Sequence, residues 1–191
     1  MQSPNETHWK RILQCIGYLY NTIDYKLQFR GNEPLKIHAY VDSDFDINKE
    51  NRHSTTGFLI NLGNNPIAWK SKMQPFVALS SSEAEYIALS LCSAALSFSS
   101  HILQDFDIKI DFPITIYEDN TGVIFMANNP TIGQQTKHIS IKYHHVRELI
   151  ENNVQKLQYI RSQDNSADVF TKNTSSNILK THLQNLGISS A

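Results

Sequence analysis

Apolar and polar residues alternate most sharply in Lys36-Ile-His-Ala-Tyr-Val-Asp42, where Ile37, Ala39 and Val41 interleave with Lys36, His38 and Tyr40. A period of two predicts a strand, and the polar run from Ser43 to Asn48 predicts its end, leaving Asp42 at the carboxyl terminus. In an open α/β sheet that edge holds the ligand crevice. Two further runs, Thr56–Leu62 and Ile67–Met73, flank the turn Gly63-Asn64-Asn65-Pro66 and complete an antiparallel meander. The period then changes. Between Glu83 and about Leu103, the residues Ile87, Leu91, Ala95, Leu96 and Ile102 predict a long helix, apolar around much of its girth and therefore central and buried. Pro113–Asp119 predicts a fourth strand, Asn120 to about Ala127 a helix, His138–Asn152 another, Val154–Ile160 a fifth strand, and Asn165 to about Lys172 a terminal helical region. The order βββαβααβα predicts an α/β fold with one mixed five-stranded sheet, three antiparallel strands followed by parallel ones, and helices on both faces.

Ahead of the sheet, Trp9, Ile12, Leu13, Ile16 and Tyr20 recur at helical spacing and predict an amphipathic helix. Two readings stand: the helix packs on the sheet, or its apolar face meets something outside this chain. The pattern divides the chain into residues 1–33, an N-terminal helix and linker, 34–173, the sheet domain, and 174–191, a C-terminal helical tail. At 191 residues and 40% hydrophobic, the chain can bury a real core. Its net charge of −1 means that any nucleic-acid contact must come from a local basic stripe. Cys15 and Cys92 lack disulfide-framework or metal-ligand spacing and are expected as two core thiols in a reducing compartment. With no secretory segment and no apolar run of roughly 18 residues, neither export nor a membrane partner is expected.

Carboxylates recur at the ends of these elements. Asp42, Asp44 and Asp46 fall at alternate positions, but a calcium loop needs Gly where Ile47 stands and Glu where His53 stands. Glu83 and Glu85 both begin the long helix, and each could be a capping acid, through Ser80-x-x-Glu83 or Ser82-x-x-Glu85. Asp119 could cap the helix after it, and Asn165-x-x-Asp168 could form a capping pair. Taken singly, capping accounts for each acid.

Taken in order, the segments Ala39-Tyr-Val-Asp42-Ser-Asp, Ala78-Leu-Ser-Ser-Ser-Glu83-Ala-Glu85-Tyr-Ile-Ala88-Leu, Ile116-Tyr-Glu-Asp119-Asn, Thr136-Lys-His-Ile139 with Tyr143-His-His, and Ser166-Ala-Asp168-Val-Phe-Thr-Lys172 resemble the ribonuclease H domain of copia-type LTR retrotransposon Pol polyproteins. The Leu-Ser-Ser-Ser-Glu-Ala-Glu-Tyr and Ala-Asp-Val-Phe-Thr-Lys runs are the specific signals. The resemblance implies a ribonuclease H-like fold and hydrolysis of the RNA strand of RNA–DNA hybrids by a two-metal mechanism. Its catalytic and metal-binding set falls on Asp42, Glu85, Asp119 and Asp168, with Glu85 preferred to Glu83. The implied cofactor is two Mg²⁺ ions, with Mn²⁺ as a substitute, because few carboxylates with open positions suit a hard, hydrated cation. Four converging carboxylates would repel, so at least one is expected to have a raised pKa. Lys70, Lys72, Lys137, His138, Lys142 and Arg147, with His144 and His145 beside them, form the basic surface expected to meet phosphates. The implied partners are the hybrid and a reverse transcriptase domain, which residues 1–33 resemble at its end; the location is cytoplasmic, in retroelement particles, or nuclear. The loop Arg161–Asp168 lacks the His that cellular ribonucleases H carry before the last acid, and no Tyr-x-Asp-Asp is present to copy RNA. The alternative is a truncated or co-opted remnant that binds nucleic acid or a polymerase without cutting.

Overall fold

The structure, a computed structural model, describes residues 4–45, 52–129 and 137–190, the side chains of residues 137–143 excepted. After helix α1 (Glu6–Asn21) and a short strand β1 (Tyr25–Leu27) come β2 (Ile37–Asp44), β3 (Thr55–Leu62) and β4 (Asn65–Met73). Helix α2 (Ser81–Asp105), β5 (Ile114–Glu118), α3 (Thr121–Asn128), α4 (Lys137–Glu151) and β6 (Gln155–Tyr159) follow. Two 3₁₀ turns, Ser162–Asp164 and Asp168–Phe170, then lead to α5 (Ser176–Asn185) and β7 (Ile188–Ser190). The five-stranded sheet runs β4-β3-β2-β5-β6, antiparallel across β4, β3 and β2 and parallel across β2, β5 and β6.

Alternation decides which face each strand buries. Ile37, Ala39 and Val41 of β2 point with Phe58 and Ile60 of β3 and Ile114 and Ile116 of β5 into one core, capped by Tyr86, Leu89, Cys92 and Leu96 of α2. By length and apolarity α2 could cross a membrane, yet Ala84, Tyr86, Ala88, Leu89 and Leu96 are fully buried against the sheet. Helices α3 and α4 pack beside α2. On the opposite face, β1 pairs with β7 in a small antiparallel ribbon, joining the N-terminal linker to the C-terminal tail. Under that ribbon a cavity of about 350 Å³ is lined by Leu27, Leu59, Pro66, Trp69, Phe170, Leu186 and Ile188.

Four expectations change. Strand β2 continues two residues past Asp42, because Ser43 and Asp44 still pair with Thr56 and Thr55 of β3. The stretch Asn165–Lys172 forms a 3₁₀ turn instead of a helix start. Cys92 is buried, but Cys15 lies exposed on α1 and is not a core thiol. Helix α1 does not pack on the sheet: it contains no buried residue, and Trp9, Leu13, Ile16 and Tyr20 are all exposed. Asn5 nonetheless caps it, accepting from the His8 amide at 2.9 Å. Asp46 and Ile47 of the rejected calcium loop lie outside the described residues.

Candidate active site

Strands β2 and β5 pair only through His38–Tyr40 and Thr115–Tyr117. Beyond Tyr40 they diverge, and β2 is also where the strand order reverses, so the gap is a topological switch point. Val41, still paired with Phe58 of β3, has no partner on the β5 side. Its carbonyl accepts instead from the Asn165 side chain at 2.9 Å, and Asn165 also accepts from the Ala167 amide at 3.1 Å. One wholly buried Asn thus fastens the loop bearing Asp168 to the end of the sheet.

Into this gap project Asp42 from β2, Glu85 from the first turns of α2 and Asp119 from just past β5, with one carboxylate oxygen of each within 4.8 Å of the others. The two helix-start glutamates separate cleanly. Ser80 is the N-cap of α2 and accepts from the Glu83 amide at 3.1 Å, while the Glu83 carboxylate reaches back to the Leu79 amide at 2.6 Å. Glu83 is therefore committed to the cap, and Glu85, two residues on, turns inward. Asp119 does not cap α3. Asn120 does, through the Gly122 and Val123 amides, and Asp119 instead accepts from the Ser162 hydroxyl. Asp168 is joined to Asp42 through Lys172, whose Nζ lies 2.8 Å from Asp168 Oδ1 and 3.0 Å from Asp42 Oδ1.

The electrostatics follow the burial. Glu85 is raised from 4.5 to about 10, first by burial and then by the charges of Glu118, Asp42 and Asp119. Repulsion, the cause expected from the sequence, acts here behind burial. Glu118, the last residue of β5, points to the core side and is 0% exposed. Burial pushes it well above 4.5, against the pull of the Asn120 amide bonded to it at 3.0 Å. Buried oxygens of both glutamates, Glu85 Oε2 and Glu118 Oε2, lack a hydrogen-bond partner, which is costly in a low dielectric. Asp168 is also raised by burial, with Lys172 partly offsetting the effect. Three carboxylates converging without His or Cys, with one oxygen orphaned, form a donor set that fits a hard divalent cation.

The basic surface is only partly assembled. Lys70 and Lys72 stand on edge strand β4, Lys72 in register with Thr56 and Ser43 and so two strand spacings, roughly 10 Å, from the Asp42 strand. His144 and His145 are exposed on α4. The side chains of Lys137, His138 and Lys142 lie outside the described residues, although the α4 backbone carries all three. Arg147 requires a correction. It is 8% exposed, and its guanidinium donates to the Met126 carbonyl at 3.1 Å and the Asn129 carbonyl at 3.2 Å. It is buried and satisfies the frayed carbonyls at the end of α3, so it is not part of an exposed basic surface. Its place three residues before Ile150 and beside Val146, on the apolar stripe of α4, was the available signal. Sequence reasoning also passed over Glu118, which looked like an ordinary strand residue, and over Thr171 and Lys172, whose roles depend on contacts about 130 positions away.

No family model matches the chain. It is 32% identical over 172 residues to the Retrovirus-related Pol polyprotein from transposon RE2 of Arabidopsis thaliana, a match covering 90% of the chain and 12% of that protein. The corresponding polyprotein from transposon TNT 1-94 of Nicotiana tabacum is likewise 32% identical over 172 residues, covering 90% of the chain and 13% of that protein. The chain thus spans only about an eighth of these two polyproteins. Among solved structures, LC11-RNase H1, isolated from compost, superposes with a TM-score of 0.54 at 16% identity, over 72% of this chain and 93% of that one. The N-terminal RNase H domain of rv2228c from Mycobacterium tuberculosis does so with a TM-score of 0.51 at 12% identity, over 78% and 97%. The chain is a homologue of a segment of copia-type retrotransposon Pol polyproteins and has the ribonuclease H-like fold.

Proposed function

We propose that this chain is a metal-dependent endonuclease that hydrolyses the RNA strand of RNA–DNA hybrids, as the ribonuclease H part of a retrotransposon polyprotein. The observation that carries the reading is the convergence of Asp42, Glu85 and Asp119 at the switch point, beside Asp168. Asp42, Glu85 and Asp119 would hold one Mg²⁺ and Asp42 with Asp168 a second, Mn²⁺ serving in place of either. When bound, the ions supply a nucleophile, neutralise charge on the phosphate and stabilise the leaving 3′ oxygen. The chain's own groups prepare the site. Ser162 orients Asp119, Thr171 and Lys172 orient Asp42, and Asn165 holds the last acid's loop. Burial, with the neighbouring carboxylates, keeps Glu85 protonated at neutral pH in the metal-free chain, and Glu85 would have to give up that proton to hold a cation. Lys70, Lys72, Lys137, His138 and Lys142 supply phosphate contacts that position the duplex without reading sequence.

The test is cleavage of a labelled hybrid beside double-stranded RNA and DNA controls. The RNA strand of the hybrid should be cut in Mg²⁺ or Mn²⁺ but not Ca²⁺, leaving 5′-phosphate and 3′-hydroxyl ends. Intact hybrid under these conditions would leave the reading of a non-cutting remnant. The partner proposed for α1 is a reverse transcriptase domain, because its Trp9–Leu13–Ile16–Tyr20 stripe is covered by nothing among the described residues. Trp9→Ser with Ile16→Ser should abolish association with that domain, measured by sedimentation, and leave hybrid cleavage by the chain itself unchanged.

A further inference from the structure

The cluster contains a cation of its own. Lys172 Nζ donates to Asp168 Oδ1 at 2.8 Å and to Asp42 Oδ1 at 3.0 Å, and the neighbouring Thr171 hydroxyl donates to Asp42 Oδ2. The turn sets this up locally, because the Lys172 amide bonds back to the Asp168 carbonyl at 2.9 Å and places the two side chains on one face. This differs from an ordinary surface pair at i,i+4, which contributes little. Asp42 is 1% exposed, and its other neighbours, Glu85 and Asp119, are carboxylates. The ammonium therefore answers a charge that water does not reach. Burial alone would lower the Lys172 ammonium, but its hydrogen bonds and the charges of Asp168 and Asp42 outweigh that and hold it above the usual lysine range.

We propose that Lys172 is a resident counter-cation: its ammonium bridges Asp42 and Asp168 in the metal-free protein, and a divalent ion enters between these two acids only by displacing it. The proposal rests on the metal-site reading above. Binding becomes sequential. The position formed by Asp42, Glu85 and Asp119 shares only Asp42 with the ammonium, no cation among the described residues being bonded to Glu85 or Asp119, and fills first; the position formed by Asp42 and Asp168, with both acids bonded to Lys172, fills second and more weakly. A lysine suits the task because its charge sits at the end of a flexible four-carbon stem, and its side chain, 36% exposed, has solvent to swing into. Mg²⁺ binds oxygens at about 2.0–2.1 Å, whereas the ammonium already takes one oxygen of each acid at hydrogen-bond distance. The two cations therefore exclude each other. Lys172 is in these terms a positioning residue, acting on reaction through the occupancy of the second position.

The experiment counts bound Mn²⁺ on the full chain from the electron paramagnetic resonance signal of the free ion. The parent should show a tight and a weak class of site. Lys172→Gln should tighten the weak class by about tenfold, the low end of what a group beside the ligands controls, and leave the tight class unchanged. Lys172→Arg, keeping the charge, should leave the weak class weak. An unchanged weak class in Lys172→Gln overturns the proposal, as does equal tightening of both classes. Absence of Mn²⁺ binding in any variant overturns it together with the metal-site reading, whereas cleavage by a parent that binds in a single class overturns this proposal alone. A second measurement needs no variant: the ¹⁵N resonance of the Lys172 ammonium, held by two carboxylates, should be lost during the second step of a Mg²⁺ titration. Its persistence at saturation overturns the exchange.

Discussion

The two poles of the acidic cluster handle the same problem in opposite ways. At one pole, Glu85 and Glu118 are buried with orphaned oxygens and no counter-charge, so they retain protons. At the other, Asp42 and Asp168 are bridged by Lys172 and braced by Thr171. The first pole comes from regular structure, an inward turn of α2 and the end of β5, where backbone geometry fixes the side chains before any cation arrives. The second comes from a 3₁₀ turn that brings its own cation. A site built this way has one position that is empty of charge compensation and one that is already filled, and substitutions at the two poles should behave differently.

The largest expected effect separates the two glutamates that begin α2. Glu85→Gln should lower hybrid cleavage by at least about a hundredfold, as expected for removing a group that stabilises transition-state charge. Its metal-free melting temperature should stay level or rise, since a buried acid with an orphaned oxygen is removed. Glu83→Gln should do the reverse, keeping cleavage and losing on the order of 0.5–1 kcal/mol, because the Leu79 amide loses its charged acceptor at the helix start. Kinetics and melts on the same two variants decide it. Loss of cleavage in Glu83→Gln with full activity in Glu85→Gln would shift the catalytic acid to the cap position.

A smaller effect tests the lysine pole through its floor. Gly57 of β3 lies opposite Asp42, and a Cβ there would come within 2.5 Å of Thr171 Cγ2, 3.0 Å of Phe170 Cβ and 3.1 Å of the Ala167 carbonyl. The turn is held down on the same side by Ser71, whose hydroxyl donates to the Phe170 carbonyl at 2.6 Å. Gly57→Ala should therefore cost about 1–3 kcal/mol by overpacking and push Thr171 and Lys172 away from Asp42. Denaturant melts measure the first effect, and the Lys172 ammonium resonance reports the second. An unchanged resonance would show that the turn reaches Asp42 without resting on β3.

These contrasts also mark what the sequence could disclose. The meander was legible because a two-residue turn ties Thr55–Leu62 to Asn65–Met73 and β2 alternates as far as Val41. The long helix was legible because a 25-residue apolar pattern has few alternatives. The ribbon of β1 and β7 was not, since three residues on each side carry no period and meet across the length of the chain. The convergence of Asp42, Glu85 and Asp119 could be anticipated only through a resemblance, because nothing local separates an inward acid from a cap. Arg147 was misassigned for a related reason: a charge on a helix suggests solvent, whereas this one pairs with carbonyls that another helix leaves unsatisfied. The lysine pole depends on contacts between Asp42 and a turn about 130 residues later, beyond the reach of periodicity.

The smallest expected effect is a pH dependence that belongs to the proton-holding pole. Glu85 and Glu118 bind protons in the folded chain that the unfolded chain releases above about 4.5. The stability they contribute is thus complete below that value and declines as pH rises toward about 10, the folded value of Glu85. Other groups confine the useful window. His38 is lowered by burial from 6.5, so it works in the opposite sense, but the unfolded imidazole holds only about a quarter of its proton at pH 7 and almost none by about pH 8, too little to cancel the two carboxyls. Cys92, pushed up from 9.0 by burial, adds a loss of the same sign only at higher pH. Between about pH 7 and about pH 8.5, metal-free protein should therefore melt at steadily lower temperature. Glu85→Gln should flatten the slope, and saturating Mg²⁺ should reverse it, since the cation competes with the proton for the same carboxylates. Lys172→Gln should leave the metal-free slope in place, because the ammonium is charged throughout this window in both states. A slope that vanished with Lys172 and survived the loss of Glu85 would exchange the roles of the two poles.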